Sequence, residues 1–174
     1  MPLILETKHF IIKGHDHPHH DRDNGGHAVV SPKQRFSDRT QMPMDLYVEM
    51  MQWVLIAGEA ITSVMRRKGI PVVRINYQDN GNWAYFPDSE TFPPHLHVHL
   101  YVRSEREVHP EGDKRFRPFP HALFFPYIAE NPEYYHGFKP YSVEDCSEIR
   151  SEIESLLATT KYAELKRLVD GDSE

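Results

Sequence analysis

Residues 95 to 103 read His-Leu-His-Val-His-Leu-Tyr-Val-Arg. A strand sends successive side chains to opposite faces. The clean alternation predicts a strand over 95–103, with His95, His97 and His99 on one face. Leu96, Val98 and Leu100 share the other face and belong in a core.

A row of imidazoles admits three readings. They can be solvated side chains on the open face of a sheet. They can contribute to a metal site, although same-face neighbours on a strand lie ~7 Å apart and the outer two ~13 Å apart. One zinc ion, with bonds of roughly 2 Å, would reach two of them and need further ligands from elsewhere. They can also carry nucleophilic chemistry at phosphorus. Imidazole attacks well at neutral pH and also leaves, so a covalent phosphoramidate can form and break. Neighbouring imidazoles can hold a tautomer, pass protons and stabilise phosphate charge.

The rest of the chain supplies the frame. Leu3 to Leu5, Phe10 to Ile12 and Ala28 to Val30 are predicted as short strands. Between them the polar run Gly14 to Gly26 is expected to be an exposed, mobile loop. A long helix is predicted from near Pro43 to Gly69, with Pro suited to the first turn and Gly to the position past the end. Leu46, Met50, Trp53, Val54, Ala57, Ile61 and Val64 define its apolar face. Arg66, Arg67 and Lys68 complement the dipole in its last turn. Val72 to Asn76 reads as a strand, followed by an irregular segment with turn signals at Asp79-Asn80-Gly81 and Pro93-Pro94. Residues 104–141 read as packed loops with a short strand at Ala122 to Phe125. Ser142 can cap a helix carrying Val143, Cys146, Ile149, Ile153, Leu156 and Leu157 on one side. A last short helix is expected from Lys161 to Val169. No internal repeat is visible.

Composition narrows the function classes. The 174 residues suit one domain. The single cysteine, Cys146, excludes an intrachain disulfide and a Cys-rich zinc site, and a cytoplasmic setting is expected. The first residues hold too short an apolar run for a signal-peptide core. The most apolar stretch, Trp53 to Ile61, is interrupted by Gly58 and Glu59, whereas a membrane span needs roughly 20 apolar residues. A net charge of −6 argues against a general binder of nucleic-acid backbones, yet leaves room for a cationic pocket that takes a small anion.

The segment His95-Leu96-His97-Val98-His99-Leu100-Tyr101 resembles the signature of the histidine-triad (HIT) superfamily, His-x-His-x-His followed by two apolar residues. Arg103 falls where many members carry an arginine. Gly25-Gly26-His27-Ala28-Val29-Val30-Ser31-Pro32-Lys33 is similar to the family's Gly-His strand ending in Pro-Lys. The long helix and Val73-Arg74-Ile75-Asn76 follow in the family's order. The resemblance implies an α+β fold, a HIT-like antiparallel sheet packed by helices. It implies one domain over 1–174, with a core over about 3–103 and an extra C-terminal loop and helix extension over about 104–174. It also implies a homodimer and a small-molecule nucleotide as ligand.

The activity implied is that of a nucleotide hydrolase or nucleotidyl transferase, working on phosphoanhydride or phosphoramidate bonds. His97 would attack the α-phosphorus, with His95, His99 and His27 assisting. Asn76, Arg103 and Lys33 would contact the substrate. The implied mechanism requires no cofactor. Typical members carry Gln or Ser just before the triad, whereas Phe92-Pro93-Pro94 stands here. That change keeps a non-catalytic nucleotide-binding or regulatory module as the alternative.

Further candidates lie outside the signature. His15, His17, His19 and His20 could bind a transition metal or form a solvated loop, and a metal-binding protein is the third reading. Asp16, Asp21 and Asp23 lie where the family places acidic ribose contacts. Arg35 stands where a further histidine is common. Gly25-Gly26 could approach a phosphate or simply form a turn. The aromatics between Phe116 and Tyr135 could include a base-stacking residue. Cys146 is expected to be inert core.

Overall fold

The computed structural model describes residues 2–80, 95–105 and 136–171. Five strands form one sheet: β1 (Leu3–Glu6), β2 (Phe10–Gly14), β3 (His27–Pro32), β4 (Val72–Asn80) and β5 (His97–Ser104). Their order is β1-β2-β3-β5-β4, and every neighbouring pair is antiparallel. Three α-helices accompany the sheet among the described residues: α1 (Met44–Arg67), α2 (Val143–Leu157) and α3 (Ala163–Gly171). This is the expected α+β architecture.

Local chemistry explains the helix limits. α1 begins after Pro43 with Asp45 in its first turn. It ends in a Schellman motif: Gly69, at φ +77°, donates to the Arg66 carbonyl, and Ile70 donates to that of Met65. α2 opens with a capping box, in which Ser142 Oγ accepts from the Asp145 N–H and Asp145 Oδ2 accepts from the Ser142 N–H, both at 3.0 Å.

One face of the sheet packs against α1. Ile12, Val30, Val98, Leu100 and Val102 meet the helix stripe that includes Met50, Trp53, Ala57, Ile61 and Val64. The predicted stripe is therefore the buried one, with Leu46 partly buried at its start. The C-terminal extension is built into the same core rather than appended to it. Tyr141, Cys146, Ile149, Ile153, Tyr162 and Leu165 are all buried there, and α2 lies across α1 and β1. Val143 departs from the predicted stripe and is exposed, because it occupies the outward side of α2's first turn.

β1, β2 and β3 run one or two residues past their expected limits, and β4 and β5 differ further. β5 begins at His97, because Leu96 gives its N–H to the Phe36 carbonyl (2.6 Å) instead of a ladder partner. β4 runs on to Asn80, pairing residue by residue with β5. The expected strand at Ala122 to Phe125 lies outside the described residues.

Candidate active site

The sheet register collects the polar face. His27 on β3 stands opposite Tyr101 on β5, and Val29 stands opposite His99. On the other side of β5, Asn76, Gln78 and Asn80 of β4 oppose Tyr101, His99 and His97. Alternation turns His27, His99, Tyr101, Asn76 and Gln78 away from α1, as predicted for the histidine row.

Hydrogen bonds then link the rings in one direction. The backbone N–H of His19 donates to Nδ1 of His27 at 3.2 Å. A neutral imidazole has one N–H, so His27 carries its proton on Nε2. That nitrogen lies 2.6 Å from Nδ1 of His99, which therefore accepts. His99 is left with its proton on Nε2, 2.8 Å from Nε2 of His97. His97 in turn carries its proton on Nδ1 and donates to the His95 carbonyl at 2.8 Å. One backbone amide thus sets the tautomer of three rings in succession. The relay ends at His97 Nε2, an unprotonated nitrogen on a half-buried ring.

Burial keeps these rings neutral. It lowers the pKa of His27 well below the ordinary value, and the adjacent His99 adds to the effect. Burial also lowers His99, followed by the influence of His97, His15 and His19. For His97 burial again lowers the pKa, opposed in part by its bond to the His95 carbonyl and by Asp79. A relay with a fixed direction requires neutral rings, and the low polarity supplies that condition.

The loop from Gly14 to Gly26 corrects the expectation of an exposed, mobile segment. The His15 ring stacks on His27 with centroids 4.5 Å apart and planes at 8°. His19 lies 5.5 Å from His27 by centroid, and His20 is buried. Tyr101 closes the other side, 4.4 Å from His27 and 5.3 Å from His99. Burial and the neighbouring His19 bring His15 down to about 4. His17 keeps the exposure expected of the whole tract. Among the described residues no group of three His, Cys, Asp or Glu side chains is arranged to hold a metal ion.

Distant partners order this polar loop. Arg22 makes a two-pronged contact with the buried Asp145 of α2 at 2.9 and 2.8 Å. The Lys139 N–H donates to Asp21, its ammonium pairs with Asp23, and Tyr141 Oη donates to the Gly25 carbonyl at 2.6 Å. Asp21 and Asp23 are thus engaged in holding the loop. Gly25 and Gly26, at φ +125° and +92°, follow the turn reading. A Cβ on Gly26 would stand 2.3 Å from the Tyr141 ring.

The other expected site residues fall into two groups. His95, half-buried, contributes its carbonyl to the relay, and Asn76 lies in the Tyr101 row. Arg103 is buried on the histidine side, two residues beyond Tyr101. Lys33 is not brought to the cluster by any described contact; its ammonium pairs with Glu6 at 2.6 Å. His136 is exposed, while His109, His121 and the aromatics from Phe116 to Tyr135 lie outside the described residues. Tyr101 was readable as the next same-face position after His99. Lys13 shares the row of His99 through Val29, a placement that only sheet register reveals.

No family model matches the chain, and no curated protein matches it in sequence. Solved structures do match. A hypothetical histidine triad nucleotide-binding protein from Sulfolobus tokodaii strain 7 aligns at TM-score 0.53 and 19% identity, over 90% of this chain and 85% of that one. A zinc-bound histidine triad family protein from Mycobacterium smegmatis aligns at TM-score 0.54 and 20% identity, over 88% and 84%. A Hit-like protein involved in cell-cycle regulation from Bartonella henselae aligns at 0.51 and 17%, over 86% and 84%.

The chain has the histidine-triad fold. At these identities the fold is what is shared. The alignments span most of each chain, in keeping with a C-terminal region that completes the core.

Proposed function

We propose that this protein binds a nucleotide by its phosphate at the histidine face and turns it over through His97. The carrying observation is the directional relay, which ends on an unprotonated Nε2. In the proposed step His97 Nε2 attacks the α-phosphorus. An N–P bond forms while the bond from phosphorus to the leaving oxygen or nitrogen breaks. The leaving group departs with the bond's electron pair and takes a proton from a neighbouring imidazole or water. The Nδ1–H held by the His95 carbonyl stabilises the imidazolium that results. Water or another acceptor then cleaves the nucleotidyl-histidine, giving hydrolysis or transfer.

Approach of a phosphate must displace the His99 N–H from His97 Nε2. That N–H is then available to a phosphate oxygen, so one donor serves both states. Asn76 and Arg103 are proposed to contact ribose or phosphate from the same face. Lys33 would have to release Glu6 to join them. The proposed homodimer has the open edge of β4 available, where Val73 and Tyr77 are exposed among the described residues.

The test is AMP release from adenosine 5′-phosphoramidate, adenylyl conjugates and diadenosine polyphosphates, by wild type and His97→Ala. Turnover lost in the variant supports the reading; turnover retained overturns it. The change to Phe92-Pro93-Pro94 before the triad favours a second reading, nucleotide binding without turnover. Adenine-nucleotide binding by a folded wild type that processes none of the panel would establish that reading instead.

A further inference from the structure

Several described cations of this acidic chain are paired with carboxylates. Arg22 holds Asp145, Lys33 holds Glu6, Arg39 holds Asp79, and Lys68 holds Glu148. Two near the histidines are not. Among the described residues neither Lys13 nor Arg35 makes an ion pair or a side-chain hydrogen bond, and both lie within electrostatic reach of His95, two residues before the proposed nucleophile.

Their positions follow from the backbone. Lys13 on β2 opposes Val29, which opposes His99, so the three form one row across the sheet. Two strand spacings set Lys13 and His99 about 10 Å apart at Cα, on the same face. A lysine side chain spans much of that distance and ends in a mobile point charge. Arg35 approaches from beyond the end of β3, next to the start of β5. The Phe36 carbonyl accepts the Leu96 N–H at 2.6 Å, which sets Arg35 beside His95. The electrostatics agree with this placement: Lys13 lowers the pKa of both His95 and His97, and Arg35 lowers that of His95. Between Lys13 and His99 lies Val29, buried and uncharged.

We propose that Lys13 and Arg35 form a second anion subsite beside His97, which selects polyphosphate substrates over those carrying one phosphate. The inference rests on the nucleotide reading of the site and names its substrate class. An α-phosphate at His97 would direct the rest of the chain toward these cations. Arg35 offers a planar fork of donors and Lys13 an adaptable one. The remaining phosphates, or the polyphosphate leaving group, would find the charge that the imidazoles lack while neutral.

The experiment measures binding of inorganic tripolyphosphate and orthophosphate to the full chain by calorimetry at low salt. Wild type is compared with Lys13→Met, Arg35→Gln and the double variant. Both positions have solvent access, and circular dichroism melts verify the fold. Removal of each cation is expected to weaken tripolyphosphate binding about tenfold, with orthophosphate unchanged. The salt dependence of tripolyphosphate binding is expected to flatten in parallel. Three results overturn the subsite: no tripolyphosphate binding by wild type, wild-type affinity in the double variant, or equal loss for both anions. AMP release from adenosine 5′-phosphoramidate, measured on the same preparations, reports separately on the nucleotidyl reading. If tripolyphosphate binding weakens as expected but no His97-dependent turnover is found, the subsite stands and the catalytic reading falls. His97-dependent turnover with tripolyphosphate binding untouched by the variants gives the reverse.

Discussion

Replacing Asp145 by Ala tests how the histidine loop is held. The Asp145 carboxylate is 1% exposed and receives two hydrogen bonds from Arg22 at 2.9 and 2.8 Å. It also accepts the Ser142 N–H at 3.0 Å and lies 3.2 Å from the Lys68 ammonium. Burial alone would raise its pKa, but Arg22, the Ser142 N–H and Lys68 together hold it well below the carboxylate range. Breaking a buried pair from one side costs about 3–5 kcal/mol, and losing an N-terminal cap about 1 kcal/mol. Arg22 keeps some solvent access and can partly re-solvate, so the expected loss is about 3 kcal/mol. For a chain of this size that is a fall in Tm of about 10 °C. Urea unfolding followed by circular dichroism measures it. Asp145→Asn keeps the cap acceptor and should lose about half as much. A cycle with Arg22→Ala should give a coupling above about 1 kcal/mol. A loss below about 1 kcal/mol for Asp145→Ala, with no coupling, would refute the claim that α2 anchors the loop.

Other expectations concern glycines, pH and the relay. Gly26→Ala should cost about 3 kcal/mol, because positive φ and contact with the Tyr141 ring act together. Gly69→Ala should cost only about 1 kcal/mol, since its φ is +77° but an added Cβ would meet nothing within 4 Å; chemical denaturation of the two variants should show that gap. His27 and His99 have pKa values lowered by folding, so the unfolded chain binds more protons. Stability should therefore be fully present above about pH 6.5 and fall with acidification below it, before the carboxylates titrate. A His27→Gln, His99→Gln variant should flatten that slope, and an unchanged slope would contradict the assignment. His19→Ala keeps the backbone N–H, so nitrogen NMR should still find His27 protonated on Nε2; protonation on Nδ1 would remove the first link.

Much of the fold was legible because period and punctuation are local properties. The alternation from His95 to Leu100 gave the two faces of β5 correctly, although His95 and Leu96 precede the strand. Pro43, Gly69 and Ser142 marked helix limits to within a residue or two. The pairing of His27 with the row on β5 was suggested only by resemblance, since strand register is a long-range property. The loop was misread for a physical reason. Its composition is polar, yet imidazoles can pack on one another, and its anchors Lys139, Tyr141 and Asp145 lie more than a hundred residues away. Lys33 shows the opposite limit: its place after Pro32 says nothing about Glu6, which reaches it from another strand.

His97 Nε2 is proposed to form a bond to phosphorus. That step is tested most directly by rapid quench of the protein with adenosine 5′-phosphoramidate, followed by mass spectrometry of the peptide carrying residues 95–103. One adenylyl group is expected on His97 in the wild type and none in His97→Ala, which should also lose turnover. Turnover by wild type with no adduct at any quench time, or an adduct on another residue, would contradict it.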